Sequence, residues 1–373
     1  MRNTPCYVFD TDAFAARIGA VRERLGDLPL TFSVKANPFL AAAAAERADH
    51  LEVCSPGELA LCLRAGVPPE KIIYSGVVKE AEDLGRALDA GAGIVTAESL
   101  RHAELIQAAA RERNITVRAL LRLSAGSQFG MSEEDLSEIL SRPERYPNVR
   151  WTGLHYYSGT QKKKPEQIRR DLEHLDRVIR VLRETGEFRP ELVEYGPGLA
   201  ADVFGADPEG ADMALLDGCA ELLRAFPFPL GIEMGRFLAA PCGSYHTRVA
   251  DLKTVNGTRY ALLDGGIHQL KYYGQVMALH VPPIVQNPCR EGEKLSFCLC
   301  GALCTTADVL AREASLAPLE IGDELTFLRC GAYSATEAPG LFLSRDFPEI
   351  RIIRRGEETL LRGAMPSWTL ITG

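Results

Sequence analysis

The first 240 residues repeat one rhythm: a short apolar run, then a polar segment with helical spacing. The apolar runs are TFSVK (31–35), LEVC (51–54), IIYS (72–75), GIVT (93–96), VRALLRL (117–123), TGLHYY (152–157), LVEY (192–195) and GIEM (231–234). Their length and residue types predict strands. Between them, Phe14, Ile18, Val21 and Leu25 share one face of a helix over 12–25 that Gly26 stops. Ser55-Pro56-Gly57-Glu58 starts another helix, with serine as N-cap and proline in the first turn, and Gly66 ends it. Strands that alternate with helices predict a parallel sheet, and eight such units predict a closed (β/α)8 barrel. After residue 240 the helical spacing fades. SYHTRVADLK, TRYALLDG, KLSFCLCG and ELTFLRCG read as strands, with a hairpin at Asn256-Gly257. The expected architecture is α/β plus all-β: a barrel over 11–240, then a β domain over 241–373 that the N-terminal strand in 1–10 joins.

A chain of 373 residues exceeds one ordinary core, and 46% hydrophobic with 25% charged residues is ordinary for a globular protein. A net charge of −8 argues against nucleic acid or an anionic membrane as partner. The start, MRNTPCYVFD, lacks a signal-peptide core, and no apolar run reaches membrane-spanning length. Ten scattered cysteines then read as reduced thiols of a cytoplasmic protein. Cys298, Cys300 and Cys304 lack a CxxC pair and a nearby histidine, so no metal site is expected. Lys162-Lys163-Lys164 reads as a solvated helix entry.

In such a barrel the C-terminal strand ends form the active face. The first strand ends in Lys35, and the fifth carries Arg122. The sixth leads into HYYSGTQ (155–161), the seventh into EYGPGLA (194–200) and the eighth into EMGR (233–236). Lysine, glycine loop and an acid closely followed by arginine suggest pyridoxal phosphate. That cofactor needs an amine for its Schiff base, a phosphate cradle and a partner for its pyridine nitrogen. Lys35 can supply the amine, backbone N–H groups around Gly196 and Gly198 the cradle, Arg236 a charged contact and Glu233 the nitrogen partner.

These motifs resemble those of the pyridoxal-phosphate-dependent decarboxylases of the diaminopimelate, ornithine and arginine type, which have an alanine-racemase-like barrel. The resemblance runs from Tyr7 to Pro348. SVKAN looks like the family's lysine motif, GLHYYSGTQ its sixth-strand motif, EYGPG its glycine loop and EMGR its acid–arginine motif. LDGGIH (263–268), GALCTTADVLA (301–311) and CGAYS (330–334) resemble three motifs of the second domain. The resemblance implies a carboxy-lyase in which Lys35 carries the cofactor. Tyr157, Thr160, Gly196, Gly198, Glu233, Gly235, Arg236 and Tyr333 would surround it. Cys304 would protonate the substrate carbon from a partner subunit, making a homodimer with shared sites. Arg122, His155, His268, Thr305 and Asp308 are candidates for substrate contact, with Tyr273 as a pocket or dimer residue.

Several positions depart from the family pattern. Tyr157 stands where a histidine usually stacks on the cofactor ring, Thr160 replaces serine, Pro197 the loop's middle glycine, and Met234 proline. Thr305 stands where an acid usually holds a distal ammonium, with Asp308 as an alternative acid, and the loop SAGSQFG after Arg122 is short. The expectation is therefore a decarboxylase of an amino acid or derivative that does not yield a standard diamine. The alternatives are a diaminopimelate decarboxylase, a racemase or epimerase on the same barrel, and an inactive regulatory relative.

Overall fold

The computed structural model describes residues 3–186, 188–275 and 277–372. The chain forms two compact units. One comprises Arg17–Ala201 and Gly210–Phe237; the other comprises the residues before Arg17, Asp202–Glu209, and those after Phe237.

A strand β1 (Cys6–Asp10) precedes the eight strands of the first unit. These are β2 (Leu30–Ser33), β3 (His50–Val53), β4 (Ile72–Tyr74), β5 (Ile94–Ala97), β6 (Val117–Leu123), β7 (Val149–Tyr157), β8 (Leu192–Gly196) and β9 (Leu230–Met234). They close in sequence order, all parallel, β9 pairing back to β2. Each falls on one of the eight apolar runs, because a strand buried on both faces must be apolar throughout. Ile73, Ile94, Leu120 and Leu192 cluster in the barrel interior. Helix signals hold as well. The Ser55 side chain accepts from the Glu58 N–H at 3.1 Å, opening the helix Pro56–Arg64. Gly26, just past the helix Thr11–Leu25, has φ +64.

The start of the barrel differs from the expectation in one respect. Strand β2 stops at Ser33, and Lys35 sits in a 3-10 turn, Val34–Ala36. Asn37 then accepts from the Phe39 N–H at 3.0 Å and caps the next turn, which opens with Pro38. Proline cannot extend the ladder, so the chain leaves the strand where the lysine side chain must project from the barrel end. The lysine run also differs. Lys162 is buried and pairs with Asp171, while Lys163 and Lys164 are exposed ahead of the helix Pro165–Gly186.

The second unit holds β1 with β10 (Gly243–Val255), β11 (Thr258–Leu263), β12 (Ile284–Asn287), β13 (Leu295–Cys300), β14 (Val309–Leu316), β15 (Glu324–Phe327), β16 (Glu349–Arg354) and β17 (Glu357–Arg362). Its sheet runs β14-β13-β11-β10-β1-β16-β17, with β15 also on β10 and β12 on β15. Asn256 (φ 50) and Gly257 (φ +81) make the turn between β10 and β11. The N-terminal strand β1 pairs antiparallel with β10 and parallel with β16. Tyr7 and Tyr245 are fully buried there, and both hydroxyls bond to Gln269. All ten cysteines are unbridged, and among the described residues no helix is long and apolar enough to cross a membrane.

The barrel has a steric weak point at Gly153 of β7. A Cβ there would lie 1.7 Å from the Leu192 carbonyl oxygen on β8, and backbone cannot yield as a side chain does. Gly153→Ala is expected to cost roughly 3 kcal/mol or more. Urea denaturation tests this; a loss below about 1 kcal/mol would show that the strands can part.

Candidate active site

At the C-terminal end of the barrel, Lys35 points toward two inward-facing acids. Its Nζ lies 3.1 Å from Glu52 Oε2, 4.0 Å from Glu233 Oε1 and 3.5 Å from Cys54 Sγ. The lysine side chain is 44% exposed, whereas the Glu52 side chain is 1% exposed. The amine is therefore reachable and its counter-charge is not. The Ser33 hydroxyl lies 2.7 Å from Glu52 and 3.1 Å from Glu233, so its one proton can serve either carboxylate. Burial by itself would raise the Glu52 carboxyl. The Lys35 charge foremost, with hydrogen bonds from Ser33 and Cys54, outweighs it and holds Glu52 well below the usual range. Burial and the Glu52 charge push the Cys54 thiol far up, so it stays protonated.

Glu233 is supported from behind. His155 Nε2 lies 3.0 Å from Glu233 Oε2, while His155 Nδ1 is buried without a hydrogen-bond partner among the described residues. That arrangement places the ring proton on Nε2, donating to the carboxylate. One rung away, Glu194 pairs in register with His155 and is 1% exposed, and neither of its oxygens has a hydrogen-bond partner among the described residues. Burial, then the Glu233 charge, pushes the Glu194 carboxyl up to about 8.

The glycines mark a close-packed cradle. Gly198 has φ +60, and a Cβ there would lie 1.9 Å from the Gly159 carbonyl oxygen. A Cβ on Gly196 would lie 2.7 Å from the Tyr157 ring, and one on Gly235 would lie 2.9 Å from Ala36 Cβ. The sixth- and seventh-strand loops are thus pressed together, and the turn leading to Arg236 is pressed against the turn that carries Lys35. Tyr157 is half-buried. Burial raises its hydroxyl, opposed by Thr160, Lys35 and Arg236. Thr160 is exposed and Arg236 half-buried at the start of a short helix, Arg236–Ala239. A reachable amine, a histidine-backed acid and a cradle that admits only glycine are the donor set that pyridoxal phosphate requires, so the residues present fit that group.

Three expected substrate contacts are placed differently. Arg122 donates to Glu98 at 2.8 Å and lies over the Phe129 ring at 4.9 Å, so it anchors the short loop after β6. His268 is buried, and burial lowers it, with Asp308 opposing. Asp308 is 2% exposed and accepts from the Ile267 N–H at 2.8 Å and the Leu303 N–H at 2.7 Å. Its carboxylate is spent on backbone and is closed to a substrate ammonium. A Cβ on Gly301 would lie 2.3 Å from it and one on Gly266 2.7 Å, which explains both glycines. Asp308 thereby fixes the loop in which Cys304 is exposed and Thr305 half-buried. Thr305 Oγ1 accepts from the Ala307 N–H at 3.3 Å. Tyr333 is half-buried at φ +65, a strained conformation for a residue with a Cβ. Tyr273 is 45% exposed.

Sequence reasoning missed Ser33, Glu52 and Cys54. The signal was a single acid inside an apolar strand, LEVC, which a strand buried on both faces does not tolerate without a partner.

Residues 11–240 match the family described as pyridoxal-dependent decarboxylase, pyridoxal binding domain. The chain belongs to this family, and it is a pyridoxal-phosphate-dependent amino-acid decarboxylase. It is 29% identical to an L-glutamyl-[BtrI acyl-carrier protein] decarboxylase of Niallia circulans, over 96% of this chain and 91% of that protein. It is 26% identical to a diaminopimelate decarboxylase of Aquifex aeolicus, over 88% and 82%. A 2-[(L-alanin-3-ylcarbamoyl)methyl]-2-hydroxybutanedioate decarboxylase of Staphylococcus aureus is 27% identical over 83% of each chain. The crystal structure of diaminopimelate decarboxylase from M. jannaschii shares the fold, with a TM-score of 0.88 at 22% identity, over 99% of this chain and 91% of that one.

Glu194 makes stability depend on pH. Its folded value of about 8 lies above the ordinary 4.5, so between those values the folded state keeps a proton that the unfolded chain has released. This contribution is full below the lower value and is lost as pH rises through the upper one. Glu194→Gln is expected to melt with a smaller loss of Tm between pH 6 and pH 9 than the parent, by calorimetry. Equal losses in both proteins would refute the protonated acid.

Proposed function

We propose that the enzyme decarboxylates an amino-acid derivative whose distal end is not a free ammonium, in active sites shared between two copies of the chain in the cytoplasm. Bound pyridoxal phosphate supplies an electron sink for the pair released when the bond from Cα to the carboxylate breaks. Lys35 Nζ is the attachment point, exposed at the barrel mouth beside Glu52. Glu233, steadied by the proton on His155 Nε2, holds the proton on the pyridine nitrogen. Glycines 196 and 198 let backbone donors approach the phosphate, Gly235 lets Arg236 come near it, and Thr160 and Tyr333 add hydroxyls. Tyr157 stacks on the ring through its aromatic face. Cys304, exposed on a loop that Asp308 holds rigid, delivers a proton from the partner subunit to the carbon that loses CO2.

The observation that carries the substrate reading is the pair Thr305 and Asp308. A threonine occupies the position of the usual acid, and the alternative acid is buried and consumed by two backbone N–H groups. A charged hydrogen bond contributes roughly 1.5–3 kcal/mol, which is about ten- to over a hundredfold in selectivity. The relatives support this reading. The Niallia circulans protein acts on a glutamyl group carried by an acyl-carrier protein, and the Staphylococcus aureus protein on an alanine unit acylated at its far end. A racemase is disfavoured because an acid rather than an arginine faces the ring nitrogen, and an inactive relative because Lys35 and Cys304 are both retained.

Two measurements test these points. Comparing kcat/KM for diaminopimelate, ornithine and glutamate, on the native protein and on Thr305→Glu, should show poor native use of the two ammonium-ended substrates and relative improvement in the variant. Efficient native turnover of diaminopimelate would restore the ordinary diamine-type assignment. Mixing inactive Lys35→Ala with inactive Cys304→Ala should restore about a quarter of native activity, since half the dimers would then hold one complete site. No recovery from exchanged subunits would place both residues in one chain's site or remove one from it.

A further inference from the structure

Immediately beside the Cys304 loop, the second unit contains a cavity of about 530 Å³. Ile267 and Leu270 form one wall, Thr306 and Ala307 another, and Lys271 and Arg312 supply its charges. No aspartate or glutamate is among the described residues that line it. Arg312 is steadied by its Nε on the Met277 carbonyl at 2.7 Å and has no carboxylate partner among the described residues. Lys271 Nζ lies 3.2 Å from Glu337, with both side chains about half exposed, so that pair is weak and exchangeable. The two walls are held by one buried side chain: Asp308 binds the Ile267 N–H on one and the Leu303 N–H at the base of the other. The cavity and the exposed Cys304 are therefore parts of one rigid assembly.

Its chemistry is selective. A free ammonium would meet only positive charge there. A chain of alternating methylene and amide groups would meet apolar walls and the Thr306 hydroxyl, and an anion at its end would meet Lys271 and Arg312. The volume lies within the range of small-molecule pockets, roughly 300–1,000 Å³, and exceeds the need of one amino-acid side chain.

We propose that this cavity holds the continuation of the substrate beyond its distal carbonyl, an amide-bearing chain that ends in an anion and is joined to the amino acid as a thioester or amide. The inference rests on the decarboxylase reading above, with Cys304 at the reacting carbon, and adds where the rest of the substrate lies. A phosphopantetheine chain has this chemistry, whether free in a coenzyme or mounted on a carrier protein.

The test uses the holoenzyme and two variants, Ala307→Trp, which fills the cavity, and Arg312→Gln, a surface change that leaves packing intact. Calorimetric titration with 4′-phosphopantetheine, which cannot react, should show binding to the native protein that each variant weakens at least about tenfold, the scale of one charged hydrogen bond. The ratio of kcat/KM for glutamyl-phosphopantetheine thioester to that for free glutamate should fall by a similar factor. If native enzyme prefers the same thioester on an acyl-carrier protein and loses that preference in Ala307→Trp, the chain comes from a carrier. Equal use of the free thioester assigns it to a coenzyme. Absence of phosphopantetheine binding, or a ratio unchanged in both variants, overturns the cavity assignment. Good turnover of diaminopimelate instead overturns the substrate reading beneath it, so the two failures are separable.

Discussion

One lysine charge among three inward-facing carboxylates governs the barrel mouth. Glu52, Glu194 and Glu233 project into one interior, where charges interact strongly and solvent does not screen them. Lys35 neutralises Glu52, the Ser33 hydroxyl is shared between Glu52 and Glu233, and Glu194 avoids charge by keeping its proton. The same lysine is the proposed attachment point of the cofactor. Its side chain is 44% exposed while that of its acid partner Glu52 is 1% exposed, so the amine faces the barrel mouth and the carboxylate the interior. Fold stability and chemistry therefore draw on the same electrostatic balance.

Close backbone approach is the second organising feature. The cradle at Gly198 and the contact of Gly235 with the Lys35 turn both require the absence of a Cβ. In the second unit Gly266 and Gly301 admit the Asp308 carboxylate between two loops. Glycine is costly in a regular element because of its entropy in the unfolded chain. Its repeated use at these points buries polar and charged groups next to backbone donors. The outcome is two preorganised surfaces, one around Lys35 and one around Cys304.

On the proposed reading, selectivity is set by small changes at the second surface. Replacing an acid by Thr305 removes one charge, and the remaining acid nearby is turned inward to hold the loop. In the proposed mechanism the chemistry at Cα is untouched by these changes, since it is assigned to Lys35, Glu233 and Cys304. This separation allows relatives that share the fold to differ in what the amino acid is attached to.

The sequence by itself determined the eight barrel strands, the hairpin at Asn256-Gly257, the N-terminal strand of the second sheet and the placing of the lysine, acid and glycine motifs at the barrel strand ends. Those signals are local: apolar runs, caps, turns and fixed spacings, each written within about ten residues. It did not reveal the 3-10 turn under Lys35, because a two-residue difference in where a strand stops depends on neighbouring strands. It gave Arg122 and Asp308 to the substrate, whereas the fold pairs Arg122 with Glu98 and spends Asp308 on the amides of Ile267 and Leu303. It overlooked Ser33, on the strand that leads into Lys35, and Glu52 and Cys54, on and just after the neighbouring strand, whose importance comes from the pairing that sets them beside Lys35. Burial, partner choice and proton affinity are set by residues far apart in the chain, so only the tertiary structure could decide them.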